Sequence, residues 1–320
     1  MATTSLYTLA VLDRADEYTG LIEDVTTLAP EFTTFGAHKR PGTWYEVVKR
    51  TTLPTAQFRI ANAGNTASAS VYKKEVKQMF FLDTRLQMDE AIMEADSAHL
   101  GSLWQLEAEG AMRAAAILLG QQTWYGTSAD SNGFTGIRAQ LSNTVGAGGT
   151  TSSTSAYLVW MDEQHGVRFD VGADGQFAIS APLRQQIADP NNSSKAYFAY
   201  VGNLKAWIGL NQLSNLASWG VTGVDANHAM TDKLGSQLLA KIPVARRQNL
   251  RWFLNRSAQS YLNQSRSTIN PGLVASGGAS GWNFQPAGAD GRPAFAPLPD
   301  SCLGYPITLT DSVLDTETNS

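Results

Sequence analysis

"QQTWYGTSADSNGFTGIRAQL" (residues 121–141) begins at the end of an alanine-rich helical run and then turns sharply. Trp124 and Tyr125 stand against Gly126; a polar stretch follows, then Gly133-Phe134-Thr135-Gly136 and a lone Arg138. Three readings compete: a phosphate-gripping loop, a catalytic loop, or a joint between structural pieces. The stretch lacks the lysine of a Walker-type loop and the glycine spacing of a dinucleotide fingerprint. Both phosphate motifs also follow a strand and open a helix, whereas this segment closes one. What remains is a turn whose glycines admit positive φ while Phe134 is anchored in a core.

Working back from the turn, residues 97–122 read as one helix. Leu100, Leu103, Trp104, Ala111, Ala114, Ala115 and Leu118 recur at three- and four-residue spacings, which gives one apolar stripe. About 24 residues at 1.5 Å each make a rod of roughly 36 Å. Gly110 is its weak point. Further back, residues 43–81 read as two extended segments around the turn "NAGN" (Asn62 to Asn65). Ala56, Phe58 and Ile60 alternate with Gln57 and Arg59, the period of a half-buried strand. As one hairpin its arms near about 18 residues, or roughly 60 Å. A lone two-stranded ribbon is marginal in water, so it needs support, with a neighbouring subunit the obvious source. Pro54 predicts a bend or an edge position. Residues 1–35 read as an arm that lies on something else.

Working forward, "SNTVGAGGTTSSTSA" (142–156) is a small-residue linker and a candidate lobe boundary. Strand candidates follow at Tyr157–Trp160, Val167–Val171, Phe177–Ser180, Tyr197–Val201 and Arg251–Asn255. "MTDKLGSQLLAKIP" predicts a helix capped at Thr231 or Asp232 and stopped before Pro243; "RSAQSYLNQSR" predicts a short one. Residues 271–300 read as a long loop, and "GYPITLTDSVLDTE" as a closing strand.

The bulk numbers narrow the function. A net charge of −4 over 320 residues argues against a protein that grips nucleic acid through its phosphates, which needs a basic face. Its charged fraction of 16% is low against roughly 25% for a typical soluble domain. Two explanations stand: surface buried against other subunits, where interface cores lose charge, or a surface kept soluble by Ser, Thr, Asn and Gln. The single Cys302 excludes a disulfide framework and a cysteine-built zinc site, and reads as a small packed residue. No apolar run of about 18 residues predicts a membrane span. The first residues lack the basic segment of a secretory signal, so an intracellularly made protein is expected.

Candidate chemistry is sparse. His38, His99, His165 and His228 have no metal-ligand spacing. "MDEQHGVRFD" groups Asp162, Glu163 and His165, but no serine lies in a nucleophile-elbow pattern, and a solvated turn between strands explains the group. Glu107 and Glu109 lie two apart on the helix and face different directions. The short "ARRQ" (Ala245 to Gln248) is no nucleic-acid patch. Most of the eight tryptophans serve cores or interfaces.

The order of these pieces resembles the major capsid proteins of tailed bacteriophages with the HK97-type fold, and within them a subfamily of short-tailed phages. "WYEVVKRTTLPTAQFRIANAG" (44–64) is similar to the family's extended-loop segment, with Arg50, Leu53, Pro54, Arg59, Asn62 and Gly64 as its features. "TWYGTSADSNGFTGIRAQL" is similar to its helix-end segment, with Ile137 where leucine is commoner and Thr123-Trp124 where Phe is usual. "AYLVWMDEQHGVRFDVGADG" resembles the following strand pair, and "CLGYPITLTDSVLDTET" the C-terminal strand.

The resemblance implies an α+β chain with an N-terminal arm (1–35), an extended β-hairpin loop (36–84) and a peripheral domain with a spine helix (85–146). A mixed α/β axial lobe (147–302) and a returning C-terminal strand (303–320) complete it. It implies a homo-oligomer of hexamers and pentamers in an icosahedral virion shell. That shell encloses double-stranded DNA without sequence-specific binding. The protein would be made in the host bacterial cytoplasm, with no cofactor, metal, catalytic residue or membrane.

Arg50, Pro54, Phe58, Arg59, Tyr72, Lys73, Lys74 and Lys77 are the expected inter-subunit residues. Trp124, Tyr125, Gly126, Phe134, Gly136 and Arg138 are the expected structural joint. With no large N-terminal scaffolding segment, a separate scaffolding protein is expected, beside a portal and a decoration protein. A cellular compartment shell of the same fold and a β-rich hydrolase using Asp162 and His165 are the alternatives.

Overall fold

The computed structural model describes residues 29–95, 100–162, 165–172, 178–189, 192–268 and 298–317. Most of the expected arm and most of the 271–300 loop lie outside them. The chain runs through α1 (Glu31–Phe35), β1 (Ala37–Lys39), β2 (Trp44–Thr52), β3 (Val71–Gln78), β4 (Phe80–Asp89), α2 (Glu90–Ala95) and α3 (Leu100–Tyr125). Next come β5 (Asn143–Gly146), β6 (Thr154–Trp160), β7 (Val167–Val171), β8 (Ala178–Ile179), β9 (Leu183–Asp189), β10 (Asn192–Gln212) and β11 (Ser218–Val224). The last are α4 (Asp232–Ala240), β12 (Leu250–Leu254), α5 (Arg256–Thr268), β13 (Ser301–Cys302) and β14 (Tyr305–Leu309).

Two sheets carry the body. The first has the order β1-β7-β10-β4, with β8 and β9 also paired to β10; the second has the order β13-β14-β12-β6-β11-β5. β10 organises the first sheet, pairing antiparallel with β4 from Ala199–Asp89 to Ile208–Phe80. Its side chains alternate: Leu204, Ala206, Ile208 and Leu210 are buried, whereas Lys205 and Trp207 are exposed. That is the period of a sheet with one covered face. In the second sheet every residue of β6 is buried. A strand covered on both faces shows no alternation, so a continuous apolar run marks it in the sequence. β2 and β3 form a separate two-stranded sheet.

Local chemistry sets the helices where the sequence predicts them. Thr231 accepts a hydrogen bond from the Leu234 N–H and caps α4, which ends ahead of Pro243. The Asn255 side chain accepts from the Ala258 N–H at 2.8 Å and starts α5; Ala258 and Leu262, one turn apart, are buried.

Several expectations are corrected. The buried stripe of α3 runs through Ala111, Ala115 and Leu119, while Ala114 is exposed and Leu118 half-buried. The run "AMRAAAILLG" offers small apolar groups at almost every angle, so its periodicity leaves the buried face poorly defined. Trp104 is half-buried and packs on a small separate cluster of Met88, Ile92 and Met93. The expected linker at 142–156 holds β5 and the start of β6. Ala56, Phe58 and Ile60 form no strand and are exposed, Phe58 wholly so at 107%. Their alternation has no sheet to lie against, because pairing stops at Thr52 and Val71. The ladder arms are therefore 9 and 8 residues, not 18. The turn itself is present: the Ala63 N–H donates to the Ile60 carbonyl at 3.1 Å, and Asn62 has φ +68°.

Sheet membership interleaves the segments expected as separate lobes. β7 and β10, inside 147–302, share a sheet with β4, while β5 and β14, outside it, belong with β6, β11 and β12.

Candidate functional site: hairpin, joint and open sheet face

The hairpin leaves the body after Arg40, whose N–H donates to the Val171 carbonyl at 2.8 Å. Gly42 (φ +80°) turns the chain out, and the Met79 N–H, donating to the Thr43 carbonyl at 2.8 Å, closes the hairpin's base. Alternation divides the ribbon into two faces. Trp44, Val48, Val76 and Tyr72 lie on the outer face and are exposed, at 54–63% for the neighbouring apolar set Trp44, Val48, Val71, Tyr72 and Val76. Glu46 accepts from Lys74 Nζ at 2.9 Å on that face. Arg50 stacks over the Tyr72 ring at 5.4 Å and donates to its hydroxyl at 3.3 Å. That donor holds the phenol below its ordinary pKa.

On the inner face Lys49, Lys73 and Lys77 surround Glu75 at 2.6, 3.8 and 3.5 Å. The Lys49 contact holds Glu75 below the usual carboxylate range. Burial and neighbouring Lys49 lower Lys77. These two lysines border an open cleft of ≈ 490 Å³ against Gln140, Gln212 and Asn215.

The eight residues expected between subunits thus divide. Arg50, Pro54, Phe58, Arg59, Tyr72 and Lys74 project into solvent, Lys73 stays exposed although it lies on the inner face, and Lys77 turns inward with a side chain 15% exposed. Arg59 donates to the Ala63 carbonyl at 2.9 Å and stiffens the tip.

The six joint residues converge. Trp124 is fully buried, stacked on Tyr157 at 4.7 Å and tilted against Phe253 at 5.2 Å. Phe134 is buried against Phe169 and Phe80. Gly126 has φ +59°, and a Cβ there would overlap the backbone of Gly136. A Cβ on Gly136 would lie 2.6 Å from the Trp124 carbonyl oxygen. The two backbones touch because neither carries a side chain. Arg138 meets buried Glu317 at 3.5 Å. The same carboxylate accepts from the hydroxyls of Tyr125 at 2.5 Å and Tyr157 at 3.3 Å, and from Ser155. Burial raises both phenols above their ordinary pKa.

Three features go beyond the residues singled out from the sequence. Glu31 and Glu317 are buried carboxylates, and through them the segments at residues 31 and 317 meet the end of the spine helix. Asp170 is wholly buried and accepts from Tyr45. Phe81 and Trp207, cross-strand partners 5.1 Å apart, are 49% and 42% exposed on the open face of the first sheet. Period-2 alternation across β4 and β10 is the signal that could have found the last.

The catalytic alternative has little to stand on. Asp162 and His165 pair at 3.2 Å on a turn where His165 is exposed. The Cys302 thiol is buried, donates to Asp232 at 3.4 Å and is pushed up to about 12 by burial, far from thiolate reactivity. Among the described residues no group of His, Cys, Asp and Glu is placed to hold a metal, and no helix is long and apolar enough to cross a membrane.

The fold is similar to that of bacteriophage Epsilon15, with TM-score 0.64 at 16% identity over 99% of this chain and 97% of that one. Lesser likenesses include the capsid of Myoviridae phage XM1 (TM-score 0.45, 8% identity, 64% of this chain and 95% of that one). Another is the bacteriophage JBD30 capsid (TM-score 0.44, 9% identity, 81% and 90%). No curated protein sequence matches the chain. The architecture is that of HK97-like phage capsids, and neither the compartment shell nor the hydrolase is favoured. Residues 40–275, well over half the chain, match the family "Major capsid protein GP7", and the protein belongs to that family.

Proposed function

We propose that this capsid-forming chain assembles as hexamers and pentamers into an icosahedral head enclosing double-stranded DNA, and acts by assembly alone. One observation carries the reading: a ribbon whose tip and outer face leave Trp44, Val48, Leu53, Phe58, Ile60, Tyr72 and Val76 exposed among the described residues. Exposed apolar surface on this scale marks an interaction site. The occupant is a second copy of the chain. A contact between unlike surfaces repeats head to tail and closes into rings, and the exposed Phe81–Trp207 pair is its receiving surface.

The net charge of −4 suits a wall that does not hold DNA. A separate scaffolding protein, a portal and a decoration protein complete the proposed set of partners. Deleting residues 50–75 tests the reading. The variant is expected to fold as unassembled subunits and form no shells in electron micrographs. Normal particles from it would refute the hairpin's role.

A further inference from the structure

We infer that Tyr45 and Asp170 form a positioning pin that sets the angle at which the hairpin leaves the body, with Lys49 and Asn215 as a second, outer pin. The inference rests on the hairpin reading above. Asp170 is the penultimate residue of β7 and is fully buried. Its Oδ2 accepts from the Tyr45 hydroxyl and from Asn211 Nδ2, the latter at 2.6 Å. Its Oδ1 has ionic contacts only, with Arg168 Nε at 3.3 Å and Arg40 Nε at 3.5 Å. Arg40 also stacks on the Tyr45 ring at 4.8 Å. The carboxylate therefore gathers groups from the segment before the hairpin, the hairpin itself, β7 and β10.

Such a cluster is expensive to leave unsatisfied at burial this deep, which makes it an angular lock rather than a surface contact. The outer pin is different in kind: Lys49 Nζ donates to Asn215 Oδ1 at 2.8 Å in an exposed setting. Two attachment points are what a ribbon needs to fix both its elevation and its roll.

The geometry gives these contacts their leverage. From Tyr45 to the tip the ribbon reaches at most roughly 55 Å at about 3.3 Å per residue. A rotation of about 5° at the base then carries the tip about 5 Å, enough to miss a side-chain-sized receiving surface. Beyond the Lys49 contact, among the described residues, nothing of the body touches the distal ribbon in a hydrogen bond or ion pair. The base must therefore aim it.

The test compares full-length Tyr45→Phe, Asn215→Ala and the 50–75 deletion for melting temperature before assembly and for shell yield and diameter after it. Tyr45→Phe keeps the ring and loses only the hydroxyl. It is expected to melt within a few degrees of the parent, yet to give at least about fivefold fewer shells of parental diameter, with a broadened size distribution. Asn215→Ala is expected to broaden diameters without loss of yield. Parental yield and diameter from Tyr45→Phe would overturn the pin if the deletion still blocks shells. Normal shells from the deletion would overturn the hairpin reading itself. A melting loss that alone accounts for the missing shells would make Tyr45 a stability residue and also overturn the pin.

Discussion

The indole Nε1 of Trp124 donates to Oε1 of Glu31 across 2.7 Å, joining residues 93 positions apart in the chain. Thr310 donates to the same oxygen and Ser312 to Oε2 at 3.3 Å. One carboxylate thus holds the N-terminal helix, the end of the spine helix and the C-terminal segment together. Burial outweighs these donors and raises the Glu31 pKa, since desolvation penalises the charged form.

This makes Glu31 a source of pH dependence whose sign is fixed. A raised folded-state pKa contributes stability that is fully present below the unfolded carboxylate value and is lost as pH rises through the folded one. Glu31→Gln is expected to remove that slope and to lie within about 1 kcal/mol of the parent at neutral pH, because an amide can keep most of the hydrogen bonds. Glu31→Ala removes the carboxylate that accepts from the Trp124 N–H and from two hydroxyls in the core, a loss of roughly 2–5 kcal/mol. Urea unfolding from about pH 4 to pH 8 measures both. Parallel pH profiles for Glu31→Gln and the parent would show that Glu31 is not the titrating group.

Gly136→Ala should be among the most damaging single-methyl additions in the chain. The added carbon would sit 2.6 Å from the Trp124 carbonyl oxygen and overlap the Gly126 backbone, neither of which is a flexible side chain. A loss of about 3 kcal/mol or more, seen as insoluble or early-melting protein, is expected from such overpacking. Gly110→Ala is the control: nothing lies within 4 Å of a Cβ there, and replacing a helical glycine should stabilise by up to about 1 kcal/mol. Equal behaviour of the two variants would contradict the close approach at the joint.

How much of this was legible depended on whether the cause was local. The cap at Thr231, the stop before Pro243 and the aromatic-glycine turn at 124–136 are written in neighbouring residues, and the structure has them where the sequence puts them. The alternation at Ala56, Phe58 and Ile60 misled because period-2 patterning becomes a strand only when a partner strand and a covered face exist, and the body supplies neither. Glu31, Asp170 and Glu317 were invisible for the same reason. A lone acidic residue reads as surface, and only the fold brings its donors from 41 to 281 positions away. Helix position did not reveal which tryptophan is buried. Trp104 lies on a regular stripe but is half-buried, whereas Trp124 lies at a helix end and is fully buried.

Asp162→Asn, at a half-buried turn position, and His165→Ala, at an exposed one, are each expected to shift stability by no more than about 0.5 kcal/mol, the usual range for surface changes. Both should leave particle formation intact. His165 stacks on Trp160 at 6.4 Å, but Arg246 already covers that ring at 4.0 Å. A substrate-dependent turnover abolished by either change, in protein that still folds, would restore the catalytic reading.

The receiving surface for the hairpin tip can be tested by coupling. Trp207 and Phe81 are exposed on the sheet face away from the core, so Trp207→Ser should barely alter the fold of the free subunit. As an interface anchor it should instead raise the concentration needed for assembly roughly tenfold, equivalent to about 1.4 kcal/mol per contact. Phe58→Ser, at a tip position wholly exposed among the described residues, should do the same. If the two side chains meet across a subunit boundary, their effects cannot add, since either change alone already removes the contact. The double variant should then need no more than about twice the concentration of the worse single variant, as judged by light scattering at fixed salt. A multiplicative effect, near a hundredfold, would mean that the tip and the Phe81–Trp207 surface contact different partners, and the receiving surface would have to be sought elsewhere on the shell subunit.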